Sequence, residues 1–340
     1  MLIHDSVQSY FYTRNEVDSM KNMLSACNTR ADGREKMEVR PVTFEFSKNS
    51  AIVHIGKTLV SCSTSAEIIK PTEERPSEGV HQISIQSPNR ILKTFQTEAI
   101  VHIRECLHRT RALDLESLVL RIGEEVWCLK SDIIILNNDG GLYEAANLAL
   151  IGSLLSTKLP GPRGPRPIVL HHLPIAVTFG YLDFHKFPRP ARLQPYPQPL
   201  CFADPTYLET LALDGIVNIY ANAQGEICAI HKNGGVPLST LVFPPNPDSH
   251  INIAIEYALQ VAKIWHKSLM KQMGNRAPPS LAHIVPLEDE VKEETPIIPN
   301  NENPQEIERK VIEEFREEAA SDKYEEEDEG INPALLSLFS

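Results

Sequence analysis

Asp132-Ile133-Ile134-Ile135-Leu136-Asn137-Asn138-Asp139-Gly140-Gly141-Leu142-Tyr143-Glu144 is the stretch whose reading decides the fold. The run of Ile and Leu reads as the buried end of a strand. Asn137 to Gly141 is a cluster of chain-breaking residues. From Tyr143 to Leu155 the chain turns apolar with good helix formers, so a helix follows the break. Two glycines between strand and helix have two uses. They allow a tight turn that needs positive φ, or they form a backbone nest for an anion at a helix N-terminus.

Upstream, Val126 to Leu136 extends this strand back to a turn at Gly123-Glu124 and a partner strand at Leu118 to Ile122. Before it, residues 91–111 have helical spacing, with Leu92, Phe95, Ala99, Ile103, Cys106 and Thr110 as the inner face. Val42 to Phe46, Ala51 to Ile55 and Leu59 to Thr64 alternate, and Gly56-Lys57 between the last two is a hairpin signal. Val80 to Ile85 is a further extended run. Residues 1–31 read as a short helical lead-in, with Val17, Met20, Met23 and Leu24 at helical spacing.

Downstream, residues 157–200 form a Pro/Arg-rich insertion, expected as exposed irregular loops around one strand at Ile175 to Tyr181. Ile216 to Tyr220, a turn at Gln224-Gly225 and Ile227 to His231 form another hairpin. Ile251, Ile255, Ala258, Ala262, Trp265 and Leu269 mark another amphipathic helix. A hairpin followed by a helix thus occurs in both halves. The reading is an α+β fold of duplicated β-α units, with halves at 32–155 and 156–275. Residues 276–340 lose all periodicity and read as a disordered tail.

Charge is unevenly placed. Residues 287–330 carry 18 Asp/Glu and 5 Lys/Arg, and the rest of the chain carries 27 acids and 28 bases. The net charge of −12 therefore belongs to the tail, and a near-neutral body is compatible with local basic patches that bind nucleic acid. The six cysteines form no C-x-x-C pair and are expected as reduced, buried thiols in cytosol or nucleus. No apolar run is long enough to span a membrane, and Met1 to Tyr10 has neither the charged nor the apolar region of a secretory signal. No metal and no cofactor is expected. His171-His172 is the one metal-like pair, and adjacent residues of a strand point to opposite faces.

Asp139-Gly140-Gly141, following Asp132 at the head of an apolar strand, resembles the phosphate loop of the RNase PH family. Asp32-Gly33-Arg34, Arg75-Pro76-Ser77-Glu78-Gly79, Leu113 to Leu118, His171 to Phe179, Asp204-Pro205-Thr206 and Leu213-Asp214-Gly215 match further signatures, so the resemblance covers roughly residues 32–275. It implies the RNase PH fold, whose units are similar to the second domain of ribosomal protein S5. In active members the loop continues Gly-Thr-Arg, and the Thr and Arg hold the phosphate that attacks RNA. Here Gly140 and Gly141 are kept, but Leu142 offers no donor and Tyr143 no charge, and Glu144 adds an acid to the first helical turn. Active members also carry a metal-binding aspartate cluster. The matching stretch here reads Phe202, Asp204, Leu208, Glu209 and Asp214.

The resemblance therefore implies the non-catalytic branch of the family, with no catalytic residue. Its members sit in a heterohexameric ring of RNase PH-like exosome subunits, with the component numbered 41 as neighbour and S1/KH proteins as a cap, in nucleus, nucleolus and cytoplasm. It implies RNA as the ligand, bound without sequence preference by basic residues of the 91–111 helix. Lys93, Thr97, Ile100, Arg104, His108 and Arg111 share a stripe at 4-3-4-4-3 spacing, and Arg109 lies beside it. Arg104, His108, Arg109 and Arg111 are the candidates. The competing reading of the stripe is a solvated helix face, and that of the chain is an active phosphorolytic exoribonuclease.

Overall fold

A computed structural model describes residues 13–26, 30–87, 93–161, 164–182, 200–234 and 250–274. The expected disordered tail, Cys27, Leu92 and the side chain of Lys93 lie outside the described residues. The alternating runs become β1 (Val42–Ser47), β2 (Ser50–Ile55) and β3 (Thr58–Ile69), a meander with Gly56 in the left-handed region at φ 56°. β4 (Val80–Gln86) is followed by α2 (Lys93–Arg109), a turn of 3-10 helix at Glu116–Leu118, and the β5 (Val119–Arg121) to β6 (Glu125–Asn137) hairpin. β6 lies between β3, antiparallel, and β4, parallel, giving the order β1-β2-β3-β6-β4 with β5 on the side of β6.

The deciding stretch behaves as read. β6 ends at Asn137, the two glycines follow, and α3 (Leu142–Ser156) starts at once. Residues Leu142 to Leu155 of α3 are all buried, because the helix lies between the first sheet and a second one. Gly152 is required on the β2 side: a Cβ there would sit 2.9 Å from that of Ala51 and 3.1 Å from the Phe46 ring. Ser153 of α3 meets Thr64 and Cys62 of β3 at 2.8 and 3.1 Å, and Thr64 meets Ser131 of β6 at 3.0 Å. This chain of hydroxyls answers the buried polar groups of the interior.

The second sheet runs β10 (Leu200–Ala203), β9 (Ile175–Leu182), β11 (Gly215–Ala221) and β12 (Ile227–Gly234), all antiparallel. β9 is buried along its whole length, with α3 on it and α5 (His250–Met273) packed on β9, β11 and β1. Of the stripe expected for α5, Ile251, Ala258, Ala262, Trp265 and Leu269 are buried and Ile255 is partly buried, with Ala254 and Val261 buried beside them.

Two expectations change. The segment 160–174 is not a set of exposed loops. Its ends pair as β7 (Lys158–Leu159) and β8 (Arg166–Pro167), Leu170 bridges Leu113, and Leu159, Ile168, Leu170 and Leu173 are buried in the main core. The prolines break the period, and the apolar residues between them still fill the core; residues 183–199 lie outside the described residues. Between β10 and β11 stands α4 (Tyr207–Ala212), a short helix that no periodicity announced. α1 (Arg14–Ala26) rests on α4, burying Met20 and Leu24 with Leu182, Phe202 and Ala212.

Candidate functional site

The loop from β6 to α3 has both glycines at positive φ, 84° at Gly140 and 66° at Gly141. A Cβ on Gly140 would lie 2.3 Å from the Pro205 carbonyl oxygen, so this loop is pressed against the 204–206 loop of the second half. Two of its amides already have acceptors within the chain. Asp139 N donates to Thr58 Oγ1 at 2.9 Å and Gly140 N to Asn138 Oδ1 at 3.0 Å, while Thr58 Oγ1 donates to the Gly140 carbonyl at 2.6 Å. Leu142 and Tyr143, the pair that the family resemblance sets against Thr and Arg, are both buried. The Tyr143 ring packs edge-on to Phe95 at 4.8 Å and beside His102 at 5.8 Å, and its hydroxyl donates to Glu98 at 3.3 Å.

Glu144 is fully buried at the head of α3, where Oε1 accepts from Thr178 N at 2.6 Å. Burial, and then the negative charge of Asp204, push its pKa above the usual carboxylate range. It occupies the first turn of α3 as a buried carboxyl with a raised pKa, not as the exposed negative charge expected from sequence.

Asp204 and Glu209, remnants of the expected acidic cluster, are also buried, and both are held by arginines. Asp204 accepts from Arg40 N, Nε and Nη2 at 2.9, 2.8 and 2.6 Å and from Arg34 Nη1 at 3.1 Å. Arg40 reaches on to the Asp139 carbonyl at 2.9 Å. Burial opposes the charge of Arg40, but Asp204, Glu144 and Asp139 around it hold its pKa above the ordinary value. Glu209 takes a two-pronged ion pair from Arg30 and closes a capping box on Thr206, whose N–H donates to Oε2 at 2.8 Å. Asp214 lies 4.0 Å from Lys21, and Phe202 is in the α1–α4 core. Among the described residues no three His, Cys, Asp or Glu are arranged to hold a metal ion. His171 faces Asp114 at 3.9 Å and His172 faces Thr110 at 3.1 Å, so the two do not converge.

The basic stripe is partly redistributed. Arg104 is exposed, and no carboxylate pairs with it among the described residues. Arg109 is exposed but ion-paired with Glu105 at 3.2 Å, one turn back. His108 is not a surface cation. Its ring is half-buried against His81 at 5.8 Å, and burial, then Arg104 and Arg75, lower its pKa, so it is neutral at pH 7. Arg111 is not on the helical stripe: α2 ends at Arg109, and Arg111 follows in the left-handed region at φ 55°. There it lines an open cleft of about 380 Å³ with Arg75, His108, His171, Asp114 and Glu116. Glu78 also lines this cleft and pairs with Arg75 at 3.2 Å, so its charge is mixed; Arg75 and His171 were invisible as its members in the sequence, because they come from loops far apart along the chain.

Residues 38–160 match the sequence model of the 3' exoribonuclease family, domain 1, and residues 172–243 match domain 2 of the same family. "Exosome complex component RRP45A" of Arabidopsis thaliana is 32% identical over 249 residues, covering 65% of this chain and 76% of that protein. "Exosome complex component RRP45" of Danio rerio is 30% identical over 238 residues, covering 62% of this chain and 56% of that one. The chain therefore spans between about half and three quarters of the length of these relatives. A solved chain of an "Archaeal exosome core" superposes with a TM-score of 0.61 over 75% of this chain and 96% of its own, at 23% identity, which shows the fold. With both domains matched in order and a third of the residues shared with a relative covered over three quarters of its length, the chain belongs to the RNase PH family of 3' exoribonucleases.

Proposed function

We propose that the chain is a catalytically silent ring subunit of a eukaryotic-type RNA exosome, supporting 3'-to-5' RNA processing and decay without cleaving RNA itself. The observation that carries this is the filled phosphate loop. Leu142 and Tyr143 are buried where a donor pair would stand, the Asp139 and Gly140 amides donate to Thr58 and Asn138, and the Glu144 carboxyl is buried in the first turn of α3. Phosphorolysis needs preorganised positive groups around the attacking phosphate, and here Arg40, the nearest cation, is committed to Asp204.

RNA is held through its backbone by Arg104, Arg109 and Arg111, with neutral His108 as a hydrogen-bonding neighbour and Arg75 beside them. Contacts to phosphate position a strand without reading its sequence. The partners are other RNase PH-like subunits of a heterohexamer, the component numbered 41 among them, and S1/KH cap proteins. The setting is nucleus, nucleolus and cytoplasm. No helix among the described residues is long and apolar enough to cross a membrane.

The test is co-purification of the full chain with its partners, followed by two assays. The mass of the complex should fit five ring paralogues beside this chain, and the chain alone should release no nucleoside diphosphate from RNA in the presence of phosphate. Such release from a clean preparation would overturn the silent reading. Replacing Arg104, Arg109 and Arg111 by Gln should weaken RNA retention by the complex and lower its salt slope by up to about one for each phosphate left without its cation. An unchanged slope would remove the stripe from the RNA path.

A further inference from the structure

The reverse side of α2 is sewn to the second sheet by residues one turn apart. Glu98 accepts from Asn233 of β12 at 2.8 Å. His102 stacks on His231 of β12 at 4.0 Å. Cys106 packs against Cys228 of β12, so the two thiols are neighbours in the seam. Thr110, past the end of the helix, meets His172 at 3.1 Å, and His172 also faces Cys228. A pair of thiols thus lies within a seam that joins the two halves of the fold, beside an imidazole.

We propose that Cys106 and Cys228 form an oxidisable dithiol, a modification site for hydroperoxides whose disulfide staples α2 to β12. The two sulfurs are unequal. Cys106 is buried and stays protonated, the neighbouring thiol and the burial both raising its pKa. Cys228 is partly exposed, and the neighbouring Cys106 thiol, and after it His172, lower its pKa against the burial that raises it. The other described cysteines lack this setting: burial pushes Cys62 and Cys201 up to about 12 and raises Cys128. A partly exposed thiol with lowered pKa and a resolving thiol beside it is the arrangement of a peroxide-sensing pair.

The chemistry balances without another reagent. The Cys228 thiolate attacks one oxygen of the peroxide and the O–O bond breaks. The departing oxygen takes up the Cys228 proton as water, leaving a sulfenic acid. The Cys106 sulfur then attacks the Cys228 sulfur, the S–S bond forms, and the sulfenic hydroxyl leaves with the Cys106 proton as a second water. Two electrons pass from the thiols to the peroxide. The resting state stays the reduced dithiol, and the inference is independent of the RNA reading.

The folded full chain is titrated with hydrogen peroxide and followed by intact mass and peptide mapping. The expected result is the loss of two hydrogens, one peptide pair joined through Cys106 and Cys228, reversal by a dithiol reductant, and a thermal midpoint raised by a few degrees, about 5 °C. Cys106→Ser should stop the reaction at a trappable sulfenic acid on Cys228, and Cys228→Ser should abolish it. Oxidation of Cys228 in the wild-type chain without the 106–228 link, or faster oxidation of Cys62, Cys128 or Cys201, overturns the proposal. That mapping decides the matter even where a serine variant folds poorly.

Discussion

Asp204→Asn separates a structural acid from a catalytic one. Asp204 is fully buried and its carboxylate takes four hydrogen bonds, three from Arg40 and one from Arg34. An asparagine keeps the shape, but its NH2 faces guanidinium N–H groups, and two buried arginines lose their counter-charge. Removing one partner of a buried ion pair costs about 3–5 kcal/mol. Part of this returns, because Asp204 is, after burial, the second cause of the raised Glu144 pKa, and without it Glu144 ionises more readily beside Arg40. A net loss of about 3 kcal/mol remains, a large fraction of the roughly 5–15 kcal/mol that holds a domain folded. With a urea slope of about 2 kcal/mol/M, the unfolding midpoint drops by about 1.5 M, read by fluorescence of the buried Trp127 and Trp265. A residue kept for catalysis behaves in the opposite way, and its neutralisation leaves stability equal or higher. A midpoint shift below about 0.3 M at unchanged slope would refute the arginine lattice as the reason for this acid.

His81 is buried, and its pKa is pushed down to about 3 by burial and then by His108. Above pH 6.5 it is neutral in both states and costs nothing. As pH falls toward 3, the unfolded chain takes up a proton that the folded chain refuses, so stability drops by about 1.4 kcal/mol per pH unit. Urea midpoints measured from pH 7 to pH 5 should fall less steeply in His81→Gln, and parallel curves would speak against the burial argument. Gly140→Ala should destabilise the fold by about 2 kcal/mol or more, because its Cβ would meet the Pro205 carbonyl at 2.3 Å and its φ is 84°; thermal unfolding checks this. Leu142→Thr with Tyr143→Arg restores the family's donor pair in sequence, and it should still give no phosphate-dependent release of nucleoside diphosphate. Any such release would mean that the loop is open to phosphate.

Regular elements longer than about five residues were legible because their period survives in the sequence. β1 to β3, β6, α3 and α5 fall where alternation or helical spacing put them. β7, β8 and α4 are too short to show a period, and α4 depends on a capping box at Thr206 and Glu209 rather than on a stripe. The identities of Leu142 and Tyr143 were legible in the glycine loop, and their burial follows from the apolar character of the helix they open. The reason the acids survive was not. Arg30, Arg34 and Arg40 meet Asp204 and Glu209 from more than 160 positions away, so the same carboxylates read as a damaged metal cluster. His108 shows the limit of helical spacing. It lies on α2 as the spacing put it, but the burial and the arginines that lower its pKa, Arg75 from a distant loop among them, are not visible in the spacing.

These arginine pairs explain why a loop that holds no phosphate would keep both glycines. Gly140 is fixed by the Pro205 carbonyl, and a Cβ on Gly141 would lie 2.9 Å from Arg40 Nη2 and 3.0 Å from Asp204 Oδ1. The residues of this loop therefore form the junction through which the first half grips the 204–209 loop of the second. The glycines, Asp204 and Arg40 are needed by the fold whatever the loop binds, while Leu142 and Tyr143 are ordinary core residues. On the proposed reading, a ring subunit can give up the reaction at two positions and still keep the shape in which the outer stripe of α2 is presented.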